Sequence, residues 1–149
     1  MPPLLRFVGV TLLTSLAACA SDGSGAGGNG TAAIEGPAKW SSIYEDYFAP
    51  AGAASCGGDD SSCHSTAEDP GTVVSSLLCT GPDDCYETMT GASKLALPSD
   101  AADPSASKLF RYLRTPSGKG RMPLGSKFEF QDGDIARIQE WIAKGARKD

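Results

Sequence analysis

Beyond its first 20 positions the sequence contains no run of about 18 apolar residues, so no transmembrane helix is expected in the body of the chain. It has a single histidine in 149 residues, no G-x-S-x-G turn and no H-E-x-x-H pair. Hydrolase chemistry of the serine or zinc kind therefore lacks its residues. No convincing alternating strand is present, and nothing recurs at a fixed period. Positive charge is not in excess, with 13 basic residues against 18 acidic ones. A general nucleic-acid binder needs clustered cations to displace counterions, so no nucleic-acid partner is expected. What the chain does have is 18 glycines and 10 prolines, too many for a plain helical bundle. A mostly α domain with short helices and long ordered loops is the expectation.

The front of the chain reads as an address. Arg6 is the only charged side chain among the first 20, the run from Phe7 to Leu13 is largely apolar, and Ala17 and Ala18 precede Cys19. A positive start, a short apolar centre and small residues at the end describe a secretory signal over residues 1–18. Leu16-Ala17-Ala18-Cys19 resembles the lipobox of bacterial lipoproteins, which implies acylation of Cys19 and a membrane anchor facing the periplasm or cell surface. An ordinary signal peptide ending near a cysteine is the alternative. Residues 19–34 are rich in glycine and small residues and read as a flexible tether, leaving 35–149 as the folded domain.

Within that domain four helical periods stand out. Trp40, Ile43, Tyr44, Tyr47 and Phe48 form one apolar stripe, ended by Pro50. Asp69-Pro70 and Asp103-Pro104 each suit an N-cap followed by proline at the first helical position. The first predicts a helix through Val73, Val74, Leu77 and Leu78. The second predicts one through Leu109, Phe110, Tyr112 and Leu113. A last helix begins near Asp132 or Asp134, carries Ile135, Ile138, Trp141 and Ile142, and stops at Gly145.

Charge is divided along the chain. Residues 35–103 hold twelve acids and two bases, a balance of −10, whereas residues 104–149 hold five acids and ten bases, a balance of +5. Two solvated faces or a dipole that steers a charged partner both fit this split.

Cysteine usage is more specific. Apart from Cys19, the chain holds Cys56, Cys63, Cys79 and Cys85, and free thiols rarely persist in secreted proteins. The short loop from Cys79 to Cys85 predicts a disulfide across it. Cys56 and Cys63 are separated by six residues, and the lone histidine, His64, directly follows the second. A Cys-His step with a cysteine upstream is a sign of covalent c-type haem attachment.

The order of these segments resembles the cytochrome c-like domain of planctomycete and myxobacterial secreted proteins. The aromatic helix Trp40–Phe48 precedes Cys56…Cys63-His64. After these come the Pro98–Leu109 segment, Arg121-Met122-Pro123-Leu124-Gly125, and Ile135 to Ala146 with its Ile-x-x-Trp-Ile-x-x-Gly-Ala ending. The similarity spans about Trp40 to Ala146. It implies haem thioethers at Cys56 and Cys63, axial iron ligands at His64 and Met122, and crossing terminal helices behind the haem. It further implies a monohaem electron carrier, not an enzyme, serving redox partner proteins of the cell envelope. The family's usual spacing has two residues between the cysteines. Here 57–62 either bulge outward, or belong to a loop closed by a Cys56–Cys63 disulfide in a haem-free binding or structural module.

Overall fold

The computed structural model describes residues 32–57 and 63–149. The leader 1–18, Cys19 and most of the tether lie outside the described residues, as do 58–62 between the two cysteines. Among the described residues there is no strand, only one isolated parallel bridge between Leu113 and Met122. The domain is helix-rich, in line with its composition and apolar periods. No helix among the described residues is long and apolar enough to cross a membrane.

Four short α-helices carry the architecture: α1 (Trp40–Ile43), α2 (Pro70–Ser75), α3 (Pro82–Glu87) and α4 (Asp132–Ala143). The stripe from Trp40 to Phe48 is wholly buried, but only its first half is α-helical. Tyr44–Phe48 widens into a π-helical turn. The widening leaves the Tyr47 carbonyl free to accept the amides of Ala54 (3.0 Å) and Ser55 (3.1 Å), so the chain turns back after Pro50.

The terminal helix behaves as its period requires. Ile138, Trp141 and Ile142 are buried, and the amides of Gly145 and Ala146 close the end against Ile142 and Trp141. Trp40 joins three helices. Its ring centroid lies 5.4 Å from Trp141 on α4 and 5.5 Å from Tyr86 on α3, and its indole N–H donates to the Pro82 carbonyl (2.9 Å). The two terminal helices therefore meet through their tryptophans.

Two expectations need correction. The helix begun by Pro70 stops at Ser75, because Ser76 turns left-handed (φ 60°) and the Ser75 hydroxyl takes up the Gly71 carbonyl. Val73 and Val74 are left 67% and 88% exposed, while Leu77 and Leu78 lie beyond the helix rather than extend it. The segment after Asp103 is not an α-helix either. It belongs to a chain of 3₁₀ turns, Pro98–Ala102, Pro104–Ala106 and Lys108–Arg111. There the Ser107 hydroxyl and the Leu109 amide both bond to the Leu95 carbonyl, so tertiary bonds replace the i→i−4 ladder. One helix, α3, stands where only a turn-forming loop was expected. Pro82 at its first position, with Asp83 and Asp84 in its first turn, supplies its start.

The Cys79–Cys85 disulfide is formed. Part of the charge split is consumed inside the fold, since Arg137 pairs with Asp46 (2.6 Å) and Lys148 with Asp83 (2.9 Å). The N-terminal arm is fixed by the terminal helix. Asp134, fully buried, accepts the Ile34 amide (2.7 Å), the Tyr47 hydroxyl (2.8 Å) and the Gln131 amide (2.8 Å).

Asp134→Ala would strand that hydroxyl and those two amides, and we expect it to cost about 3 kcal/mol or more in urea unfolding. Lys144→Ala breaks an ion pair whose partners are each 59% exposed. It should cost less than about 0.5 kcal/mol. Small, equal losses for both would show that the buried carboxylate does not hold the arm and helix together.

Candidate functional site

A predominantly apolar cavity of about 210 Å³ opens on one side of the domain. Three segments wall it: Ala54–Cys56 after the π turn, Cys63–Leu77 including α2, and Lys108–Leu124. Phe48, Met89, Leu95 and Leu109 close it from the core. Cys56, Cys63, His64 and Met122 all line this one cavity. The sequence draws these four from three separate segments, and the fold brings them around one cavity.

His64 is almost fully buried, 5% exposed, and its Nδ1 lies 2.9 Å from the Leu77 carbonyl oxygen. A carbonyl only accepts, so Nδ1 carries the proton and donates. Burial pushes the imidazole below its ordinary value, against the opposing pulls of the Leu77 carbonyl and Asp69. The ring is thus neutral near pH 7, with its lone pair on Nε2. That tautomer is the one a metal-binding histidine takes when its second nitrogen is anchored by a carbonyl. Apolar periodicity places Leu77 on a helix face. Its part here is played by its backbone, which side-chain patterns do not report.

The backbone beneath the cysteines is held by close approaches. A Cβ on Gly71 would collide with the Cys63 carbonyl oxygen and lie 2.9 Å from His64 Cε1. A Cβ on Gly57 would collide with the Cys79 carbonyl oxygen. Both positions require glycine for lack of space. Cys79 also donates its amide to the His64 carbonyl (2.7 Å). The disulfide at Cys79–Cys85 is therefore directly behind the His64 backbone, although neither sulfur lines the cavity.

Cys56 and Cys63 are each half-buried on the cavity wall. Burial, and then the neighbouring Cys63, push the Cys56 thiol up to about 12. It carries almost no thiolate at neutral pH. Met122 sits on the opposite segment. Its amide and that of Arg121 donate to the Tyr112 carbonyl (2.8 and 3.0 Å), beside the Leu113–Met122 bridge. Lys108 is the one Lys, Arg, Asp or Glu among the lining residues, and its ammonium stands 5.9 Å from the centre of the Tyr112 ring. Val74, Tyr112 and Leu124, three of the large apolar side chains left exposed, also line this cavity. Among the described residues, no three His, Cys, Asp or Glu side chains are gathered so as to hold a bare metal ion by themselves.

Asp69, placed as an N-cap by sequence, makes no cap bond to α2. Its Oδ2 instead accepts from the Ser65 amide, the Ser65 hydroxyl and the Thr66 amide, all at 2.8 Å, and so braces the turn after His64. The Thr66 amide and then the Ser65 hydroxyl hold its carboxyl below the ordinary carboxylate value. A depressed acid binds fewer protons folded than unfolded. Its contribution is complete above the unfolded value near 4 and is lost as pH falls from there through the folded one. Wild-type and Asp69→Asn stabilities should therefore converge as pH is lowered from 5 to 2 in urea titrations. Parallel profiles would remove Asp69 from this role.

Set beside models of known families, curated proteins and solved structures, the chain matches none of them.

Proposed function

We propose that this chain is a monohaem, c-type cytochrome-like electron carrier, held at the cell envelope by lipid on Cys19 and exchanging single electrons with redox partner proteins there. One observation carries the proposal: Cys56, Cys63, His64 and Met122 line a single apolar cavity, and the tautomer of His64 leaves Nε2 available. The donor set fits the group. Two thiols suit thioether attachment, a neutral imidazole suits iron, and a thioether suits the opposite face. Apolar walls fit a largely apolar macrocycle.

In this reading Cys56 and Cys63 would hold haem c covalently, and His64 and Met122 would be its axial ligands. The bound group supplies one-electron redox chemistry, at a potential raised by the thioether. The chain's own work is orientation and exclusion of water. The Leu77 carbonyl fixes the His64 ring, the Cys79 amide fixes the His64 carbonyl, and the apolar wall keeps the dielectric low. If His64 and Met122 both bound the iron, this chain would leave it no ligand site for a substrate. That makes the chain an electron carrier rather than an enzyme.

A second reading has its own support, because Cys63 is near enough to Cys56 to raise its pKa. A Cys56–Cys63 disulfide would then staple a haem-free surface lipoprotein that acts as a binding or structural module.

Expression with haem-maturation machinery should give a red protein whose mass exceeds the polypeptide by one haem and whose Soret band survives denaturation. The double variant Cys56→Ala with Cys63→Ala should abolish the covalent bond, His64→Ala the low-spin spectrum, and Met122→Ala the near-infrared charge-transfer band, with a lowered potential. A colourless protein lighter by two hydrogens for each of the pairs 56/63 and 79/85 establishes the module instead.

The anchor is tested separately. The mature protein should partition with membranes, and Cys19→Ser should release or mis-process it. A soluble protein with an unmodified N-terminus elsewhere would overturn the lipid anchor while leaving the cofactor question untouched.

A further inference from the structure

The segment that carries Met122 has little regular structure to hold it. It runs out from Arg114 and returns at Phe130, and no helix and no strand lies between them. Three sets of bonds from Arg114 converge on it. The Arg114 amide donates to the Met122 carbonyl, and the Arg114 carbonyl accepts the Phe130 amide at 2.8 Å, so both ends of the loop close on one residue. The guanidinium does the rest. Its Nη2 donates to the Phe128 carbonyl at 2.6 Å and also to the Ser126 carbonyl, holding the return limb of the loop.

The choice of side chain matters. A guanidinium is always charged and rigidly planar, and it can serve two carbonyls from one nitrogen without rotating. An ammonium on a flexible stem offers the same charge without the fixed geometry. The Nε–H of Arg114 is buried and makes no hydrogen bond among the described residues. Leaving that donor unmade is unfavourable. An apolar side chain would remove that orphan but would leave the Ser126 and Phe128 carbonyls without the donor that Arg114 gives them. Phe128 packs against the core beside Tyr47 and Phe130, but Leu124, next to the Met122-Pro123 step, is 57% exposed, so the stretch between them relies on the polar bonds.

We infer that Arg114 is the positioning residue for Met122: it fixes the distal wall of the cavity so that the thioether stays where an axial ligand is needed. This rests on the haem reading for the group that Met122 binds, but the clamp itself is a property of the bare chain. Without the guanidinium the backbone bonds to Tyr112 and Arg114 remain and Phe128 keeps its core contacts, yet the Ser126 and Phe128 carbonyls lose their donor, and the Met122 sulfur is held less firmly at the cavity. A sixth ligand held so loosely yields to an external one.

The test uses the full chain in two forms, with Arg114→Met and Arg114→Lys. In the haem-free chain, hydrogen exchange at the Met122 and Phe130 amides should accelerate at least about tenfold in Arg114→Met, while the amides of α4 keep their protection. Arg114→Lys should fall between. In the haem-loaded protein, imidazole should displace the sixth ligand at a concentration at least about tenfold lower in Arg114→Met than in wild type, and the near-infrared band of the oxidised form should weaken. Unchanged exchange, or an unchanged imidazole titration in a folded, haem-loaded variant, would overturn the role of Arg114 alone. A wild-type chain that takes up no haem overturns the cofactor reading, and with it the purpose given to the clamp; the exchange measurement still decides whether the clamp exists. If Arg114→Met does not fold, Arg114→Lys decides, since a wild-type profile there shows that the fork geometry is not needed.

Discussion

The carboxylate of Asp134 is the point on which the rest of the domain hangs. It is fully buried, and a buried charge survives only where its oxygens are satisfied. Three donors from three parts of the chain do this: the Ile34 amide, the Gln131 amide that starts α4, and the Tyr47 hydroxyl. Burial and then the bond to Asp134 push the Tyr47 phenol above its ordinary value, so it stays a donor. From Tyr47 the chain of cause continues outward. Its carbonyl accepts Ala54 and Ser55, and the next residue is Cys56, on the cavity wall. A residue on the last helix thereby sets the position of a cysteine near the front of the domain. Arg137, one turn further along α4, repeats the tie through Asp46 and the Pro37 carbonyl.

The His64 side of the cavity is secured differently, by covalent and steric means. The Cys79–Cys85 bridge closes a short loop, and by the chain-entropy estimate a loop of that length is worth about 2.4 kcal/mol. Its larger effect is local. Because Cys79 touches Gly57 and bonds to the His64 carbonyl, the bridge holds the two cysteine-bearing strips of backbone against each other. A domain whose α-helices run from 4 to 12 residues has little helix-on-helix surface. It substitutes a disulfide, tight glycine contacts and buried charged hydrogen bonds for the layers that a larger fold would use.

How much of this was legible in the sequence depends on which force set each element. The stripe at Trp40–Phe48 and the face of α4 are determined by apolar period, and both are found buried as the period requires. Of the helices read from Asp-Pro pairs, the first starts at Pro70 as expected but stops at Ser75, and the second gives only 3₁₀ turns, because a start signal does not fix how far a helix runs. Tertiary bonds to Leu95 shape the backbone beyond Asp103, and a left-handed Ser76 ends the helix that starts after Asp69. Motif and segment order alone single out these four residues, Cys56, Cys63, His64 and Met122, and the fold does bring them around one cavity. The Leu77 carbonyl, the Cys79 amide and the bond from Arg114 to the Ser126 carbonyl were out of reach. Each depends on a backbone group, and no residue-type pattern marks a backbone donor or acceptor.

The two walls of the cavity differ in kind, and that difference bears on any redox use of the site. The His64 wall is stiff: a disulfide lies behind it, two glycines leave no slack, and the one carbonyl that orients the ring belongs to a buried residue. The Met122 wall has no such backing and depends on polar bonds to Tyr112 and Arg114. The walls differ in charge as well. Residues 104–128 contain six lysines and arginines and no acid, whereas Glu68 and Asp69 flank the His64 turn. Exposed Val74, Tyr112 and Leu124 line the opening. Surface fields of this sort act over about 8 Å at physiological ionic strength. They orient an encounter without fixing it.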